Sequence, residues 1–140
     1  MIIVIYIPPN DKETKKFLQQ YIIKKIRENE RKNIKVIVIG DFNDIHSKIL
    51  DQNNKESKRK QSLSLLAWLE SSSCEDVYRK IYLYKREYTW SNGKTCLRID
   101  YIWVSRELSQ GVIGCRIIDA DYITGSDHKI IQVQFTTSFS

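Results

Sequence analysis

Two β-branched runs, Ile2-Ile3-Val4-Ile5-Tyr6 and Val36-Ile37-Val38-Ile39, flank a single stretch of helical periodicity, and this order constrains the fold more than any other feature of the chain. Such runs favour extended backbone, and Pro8-Pro9 forces a loop after the first, because proline lacks an amide donor and restricts its predecessor. Asn10 or Asp11 can cap the helix that follows, with Glu13 at capping-box spacing from Asn10. Phe17, Leu18, Tyr21, Ile22 and Ile26 recur at helical intervals to about Asn29, and Lys15, Lys16, Lys24, Lys25 and Arg27 fall on the outer face. Strand, helix, strand implies a parallel crossover, with both strands covered by other layers.

Gly40-Asp41 ends the second strand. From His46 to Gln61 the chain is polar and rich in Lys, Asn, Asp and Ser, which predicts a long exposed loop. Its Lys55, Lys58, Arg59 and Lys60 suit either phosphate contact or plain solvation. Ser62 to Glu70 reads as a short helix, with Leu63, Leu65, Leu66, Trp68 and Leu69 as its apolar side. A tyrosine-rich stretch from Val77 to Tyr88 leads to Thr89-Trp90-Ser91-Asn92-Gly93-Lys94, whose Asn-Gly turn returns the chain into a strand at Ile99–Val104. Strands around Val112–Ile118 and Lys129–Phe135 follow. No internal repeat or shift in composition marks a second domain, so residues 1–140 read as one α/β domain.

The net charge of +6 and a pI near 9.2 favour polyanionic partners such as nucleic acid. The three cysteines are widely spaced, with no Cys-x-x-Cys, so neither a disulfide framework nor a zinc site is expected. A secretory leader pattern is missing at Met1, and no apolar run approaches the ~20 residues that span a bilayer. The expectation is an intracellular chain, cytoplasmic or nuclear, with no membrane partner; oligomeric state is not fixed by these features.

Chemistry concentrates in three strings. In Gly40-Asp41-Phe42-Asn43 a buried strand emerges into a loop carrying a carboxylate and an amide two residues apart. An acid there can orient or deprotonate water and an amide can donate to a phosphate oxygen; the local alternative is an Asx-turn that satisfies backbone donors. Ser126-Asp127-His128 sets an acid beside an imidazole just ahead of a strand. Arg98-Ile99-Asp100-Tyr101-Ile102 adds an acid on a separate strand, which can hold a ring nitrogen of His128 and fix its tautomer.

In the order Gly-Asp-x-Asn, Arg-Ile-Asp-Tyr-Ile, Ser-Asp-His, these strings resemble the endonuclease/exonuclease/phosphatase superfamily of DNase I-like fold. Tyr6-Ile7-Pro8 and Tyr88-Thr89-Trp90 are similar to two further segments of that family, so the resemblance runs from about Ile2 to Phe135. It implies a four-layer α/β sandwich, of which this chain resembles the second half only, with a mixed sheet and flanking helices. It also implies hydrolysis of a phosphate ester assisted by Mg²⁺ or Mn²⁺. Asp41 would align or activate water, Asn43 would hold the scissile phosphate, Asp100 would orient His128, and His128 would contact or protonate the phosphate. Asp127 and Asp41 would position the metal, Tyr6 would sit against the phosphate, and Asn10, Trp90 and Arg98 would line the substrate side.

Within the family the strings look most like the apurinic-site and retrotransposon-type endonucleases, which makes DNA the expected partner. Phosphodiesterases of inositol and lipid phosphates share the same strings, and a non-catalytic nucleic-acid-binding remnant is the reading outside enzymes. The family's principal metal-ligand Glu and an Asn or Asp near its N-terminus have no counterpart, since Met1 runs straight into the Tyr-x-Pro strand. Pro9 also displaces Asn10 by one position from the usual Asn. The expectation is therefore a domain incomplete at its N-terminus, with poor metal retention, little or no activity alone, and open strand edges.

Overall fold

The first run forms β1 (Ile2–Tyr6) and the second β2 (Ile37–Asp41), paired in parallel from Ile2↔Ile37 to Tyr6↔Asp41, as the crossover reading requires. The computed structural model describes residues 1–54, 56, 64–120 and 125–136. Between the two strands lies α1 (Lys12–Arg31), whose N-cap is Asp11: its carboxylate accepts from Thr14 N at 3.0 Å and from Thr14 Oγ1 at 2.6 Å. Asn10, the other candidate, does not cap.

β6 (Asp100–Ser105) runs antiparallel to β2, and β3 (Cys74–Asp76) pairs antiparallel with β6, giving the sheet order β1-β2-β6-β3. The mixed sheet was expected, but β3 was not: three residues are too few to show alternation. One sheet face is covered by α1 and α2 (Leu65–Ser71), whose Ile22, Ile26, Leu65, Leu66 and Leu69 pack on Ile5, Val38 and Trp103. The other receives α3 (Val77–Ile81) and the hairpin of β7 (Val112–Ile118) and β8 (Ile130–Phe135), packed on Ile39, Ile102 and Val104. A short hairpin, β4 (Trp90–Ser91) and β5 (Cys96–Leu97), is turned by Asn92-Gly93, and α4 (Arg106–Ser109) follows β6. The Asn-Gly turn thus closes this hairpin rather than feeding the long strand directly.

Three expectations are corrected. The strands are not both covered, because the residues of β1 on the hairpin side, Ile2, Val4 and Tyr6, are 67%, 77% and 65% exposed: the hairpin reaches across β2 and β6 but stops short of β1. On α1, Phe17 and Tyr21 are also exposed, since Ile22 and Ile26 point at the sheet and the other two do not. The polar stretch after His46 is not uniformly exposed either, for Asp51 and Gln52 are buried, Asp51 against two arginines and Gln52 against Leu97. The four cations Lys55, Lys58, Arg59 and Lys60, and Ser62 and Leu63 of the expected short helix, lie outside the described residues. Among those described, no helix is long and apolar enough to cross a membrane.

Candidate active site

Register aligns the candidate residues before any side chain is considered. Tyr6 pairs with Asp41 and Asp41 with Asp100, so one row across β1, β2 and β6 carries a phenol and two carboxylates on one face, at the strand ends. Just before Asp41, Gly40 has φ +145°, and a Cβ there would lie 2.0 Å from the Ile5 carbonyl oxygen. Only glycine allows β1 and β2 this approach.

After Asp41 the chain turns sharply. Asn43 adopts left-handed backbone (φ +46°), its N–H donates to Asp41 Oδ1 at 2.8 Å, and its Nδ2 donates to the Ile7 carbonyl at 2.5 Å. The Asx-turn reading of this string therefore holds, and it coexists with the convergence of Asp41 on the other strings. One amide hydrogen of Asn43 ties the two strand-end loops together instead of facing the cleft.

The third string is fastened by its backbone. Lys129 N donates to Thr89 O at 2.7 Å, Ser91 N to Asp127 O at 3.4 Å, and Trp90 bridges His128, so residues 127–129 lie along β4. Thr89 is fully buried, and its Oγ1 accepts from Ile99 N at 3.1 Å and Asp100 N at 3.2 Å, fixing the start of β6 against the same strand. His128 Nδ1 consequently meets Asp100 Oδ2 at 2.9 Å, while Nε2 lies 3.8 Å from Asp41 Oδ2 and 4.0 Å from Asp127 Oδ1. Trp90 Nε1 donates to Asp127 Oδ2 at 2.8 Å and holds that more exposed acid over the group.

Burial, the largest influence on Asp41, raises its carboxyl above the ordinary range; Asp100 and Asp127 add to this, against the Asn43 amide and His128. Asp100 is raised chiefly by burial too, opposed by hydrogen bonds from Thr89 and His128. Burial alone would lower His128, but its bond to Asp100 and the charges of Asp100, Asp41 and Asp127 raise it. Acids that repel one another, with an imidazole that shares their field, suit a site that receives an anion and a cation together. Asp41, Asp100 and His128 each offer a ligand atom within 4.8 Å of the others.

Tyr6 flanks this group on the exposed β1, and Asn10 is exposed on the loop between Tyr6 and α1. Arg98 is a correction. Expected on the substrate side, it is 1% exposed and points inward, with Nε 2.8 Å from Asp51 Oδ1 and Nη2 2.8 Å from Asp76 Oδ2. Asp51 and Asp76 draw it into a buried network that also includes Arg79, paired with Asp51 at 2.8 Å. The sequence reading missed Asp51, Asp76 and the pinning role of Thr89, because their partners lie far along the chain and no local spacing signals them.

With this geometry in view, the family model for the Endonuclease/Exonuclease/phosphatase family matches residues 3–128. Among solved structures, the chain is similar to the 3'-5' exonuclease NExo from Neisseria meningitidis (TM-score 0.77, 20% identity, 96% of this chain and 60% of that one). It is also similar to the 3' phosphatase NExo from Neisseria bound to a product DNA hairpin (TM-score 0.73, 20% identity, 96% and 60%). An AP endonuclease from Archaeoglobus fulgidus matches with TM-score 0.67 and 19% identity, over 96% of this chain and 60% of that one. The chain thus spans about 60% of the length of these proteins and shares their fold over that span. No curated protein sequence matches it.

Proposed function

The chain belongs to the Endonuclease/Exonuclease/phosphatase family, and from that premise we propose that it carries the phosphate-handling half of a metal-dependent phosphodiester hydrolase acting on nucleic acid, DNA first. The observation that carries this reading is the Asp100–His128–Asp41 line, 2.9 Å and 3.8 Å apart, at the end of three paired strands. Asp100 accepts from His128 Nδ1–H, which leaves Nε2 facing the cleft. Because its surroundings favour the imidazolium, His128 donates from Nε2 to a phosphate oxygen or to the departing oxygen. Asp41 lies 3.8 Å from Nε2, where it orients or deprotonates the attacking water. Trp90 fixes Asp127, and Tyr6 closes the row as a donor to the same phosphate.

The donor set fits a hard divalent cation such as Mg²⁺ or Mn²⁺: crowded carboxylates with raised affinity for protons are relieved by one, and oxygen ligands are what it takes. Asp41 and Asp127 would hold it, and when bound it supplies neutralisation of charge on the phosphate oxygens. Two acids make a weak cation site, so turnover by this chain alone is slow and needs abundant metal. The exposed Ile2 and Val4 of β1 leave an apolar surface on which a further layer of such a fold can pack.

Single-turnover cleavage of a DNA hairpin by excess protein tests the reading. Slow cleavage that EDTA stops, and that Asp41→Ala and His128→Ala abolish, is the expected result. No EDTA-sensitive cleavage at any Mg²⁺ concentration would leave only a nucleic-acid-binding remnant, and preferential turnover of inositol or lipid phosphates would move the substrate class.

A further inference from the structure

Away from the strand ends, α1 and α2 enclose a groove of about 750 Å³ that opens at Pro9, three residues past Tyr6, and continues past Gln20, Ile23 and Trp68 into a second hollow of about 390 Å³. Its floor and far wall are apolar, formed by Ile23, Leu65, Ala67 and a half-buried Trp68. Its near rim is cationic, with one group at Lys12, Lys15 and Lys16 in the first turns of α1 and another at Lys24, Arg27 and Arg31 in its last. Glu28 is the one carboxylate in the lining, and Lys25 already pairs with it at 3.3 Å. Among the described residues none of the six cations forms an ion pair. The guanidinium of Arg27 lies 5.5 Å from the Trp68 ring centroid.

Six unpaired cations repel one another along a helix of about 30 Å, and the arrangement is at ease only when something anionic lies beside it. The apolar floor narrows the choice. A duplex keeps its bases stacked inside and presents only phosphates and groove edges, so it offers nothing to Ile23 or Trp68; a single strand presents both phosphates and base faces. An indole with a guanidinium over it is a platform on which a base can continue the stack. Pro9, which lines the groove, lies three residues past Tyr6 at the end of β1, so the loop after that strand links the groove to the strand ends of the phosphate site.

We propose that the α1–α2 groove is a second nucleic-acid contact, a track for a single strand leaving the phosphate site past Pro9, with its phosphates along the cations of α1 and a base against Trp68. This deepens the proposed function and rests on it in taking nucleic acid as the ligand. It assigns the chain a preference for substrates with a single-stranded segment next to the phosphate that reaches His128.

Fluorescence anisotropy with a labelled oligothymidylate, in EDTA so that no cleavage intervenes, tests the track independently of catalysis. Lys16→Glu/Lys24→Glu changes two exposed positions and is expected to weaken binding more than tenfold. It should also flatten the salt dependence by roughly 1.4 in log–log slope, about 0.7 for each lost phosphate contact. Trp68→Ala should weaken binding about tenfold and Trp68→Phe far less, since the ring supplies the stack. Arg106→Glu, on α4 at the end of β6 away from the phosphate site and the groove, reverses one charge and should cost less than threefold. The proposal is overturned if the charge reversal leaves affinity and slope unchanged, if Arg106→Glu costs as much as the reversal, or if duplex DNA or polyglutamate competes as well as the single strand. Loss of cleavage with this binding pattern intact would sink the enzymatic reading and spare the track.

Discussion

Replacing Arg98 with alanine separates two opposed views of one residue. Its neighbours in sequence suggest a substrate contact, whereas its surroundings make it the centre of a buried charge network. Its Nη1 and Nη2 reach Asp76 Oδ1 and Oδ2 at 3.1 and 2.8 Å, its Nε reaches Asp51 at 2.8 Å, and its guanidinium lies 4.5 Å from the Tyr101 ring centroid. Removing it leaves Asp51 paired with Arg79 at 2.8 Å but leaves Asp76, 8% exposed, with the Arg79 amide of its own helix cap at 3.3 Å. Breaking a buried pair from one side costs about 3–5 kcal/mol, and loss of the ring contact adds roughly 1 kcal/mol. Against a total stability of about 5–15 kcal/mol, that is a large fraction.

Urea unfolding followed by tryptophan fluorescence should show a midpoint lower by about 2–3 M, taking a slope of about 2 kcal/mol/M. Arg98→Met/Asp76→Asn, which removes that pair together and leaves Asp51 with Arg79, should recover most of the loss. The acid limb must move as well. Burial pushes the Asp51 carboxyl up, but Arg98 and its hydrogen bonds more than reverse this and hold it below the usual range. Its stabilising contribution is therefore present above the ordinary carboxylate value of about 3.9 and is lost as pH falls through the lowered one. Without Arg98 the acid transition should begin at higher pH. An unchanged midpoint, together with loss of nucleic-acid binding, would refute this reasoning and place the guanidinium on the substrate.

Three further outcomes follow from the site. Gly40→Ala puts a Cβ against the Ile5 carbonyl at a left-handed φ, and overpacking plus backbone strain should cost about 2–5 kcal/mol in thermal or urea unfolding. Thr89→Val keeps the shape but strands the Ile99 and Asp100 amides, which should cost about 2–4 kcal/mol and broaden the NMR signals of both residues. Asp100→Asn removes the partner that raises His128, so its ring should titrate at lower pH by NMR. In the wild type, stability gained from His128 is complete below its unfolded value near 6.5 and fades as pH rises through the raised folded one, and this fading should be smaller in the variant, where only Asp41 and Asp127 still raise the ring.

The crossover was legible in the sequence because each of its parts has a local cause. Ile2–Tyr6 and Ile37–Asp41 are β-branched runs, Asp11 caps a periodic helix, and Pro8-Pro9 and Gly40 punctuate them. The three chemistry-bearing strings were legible for the same reason: each sits where an apolar run meets a turn. What stayed hidden depends on partners far away in the chain. Asp51 and Gln52 look like solvated loop residues until Arg98, Arg79 and Leu97 close over them. Phe17 and Tyr21 fit the helical period, yet the sheet meets the neighbouring stripe of α1 instead.

By itself, the sequence determined which residue types stand at the strand ends and in what order, since propensity, capping and turn chemistry act over a few neighbours. Tertiary structure alone decided which of them meet. The strand register set Tyr6, Asp41 and Asp100 in one row, and bonds from residues 127–129 to Thr89 and Ser91 brought His128 over it. Two buried acids far along the chain, Asp51 and Asp76, hold Arg98 inward, while Asp100, two residues on, meets His128. Side-chain direction is settled by register, burial and distant hydrogen bonds, and none of these is a property of a short stretch of residues.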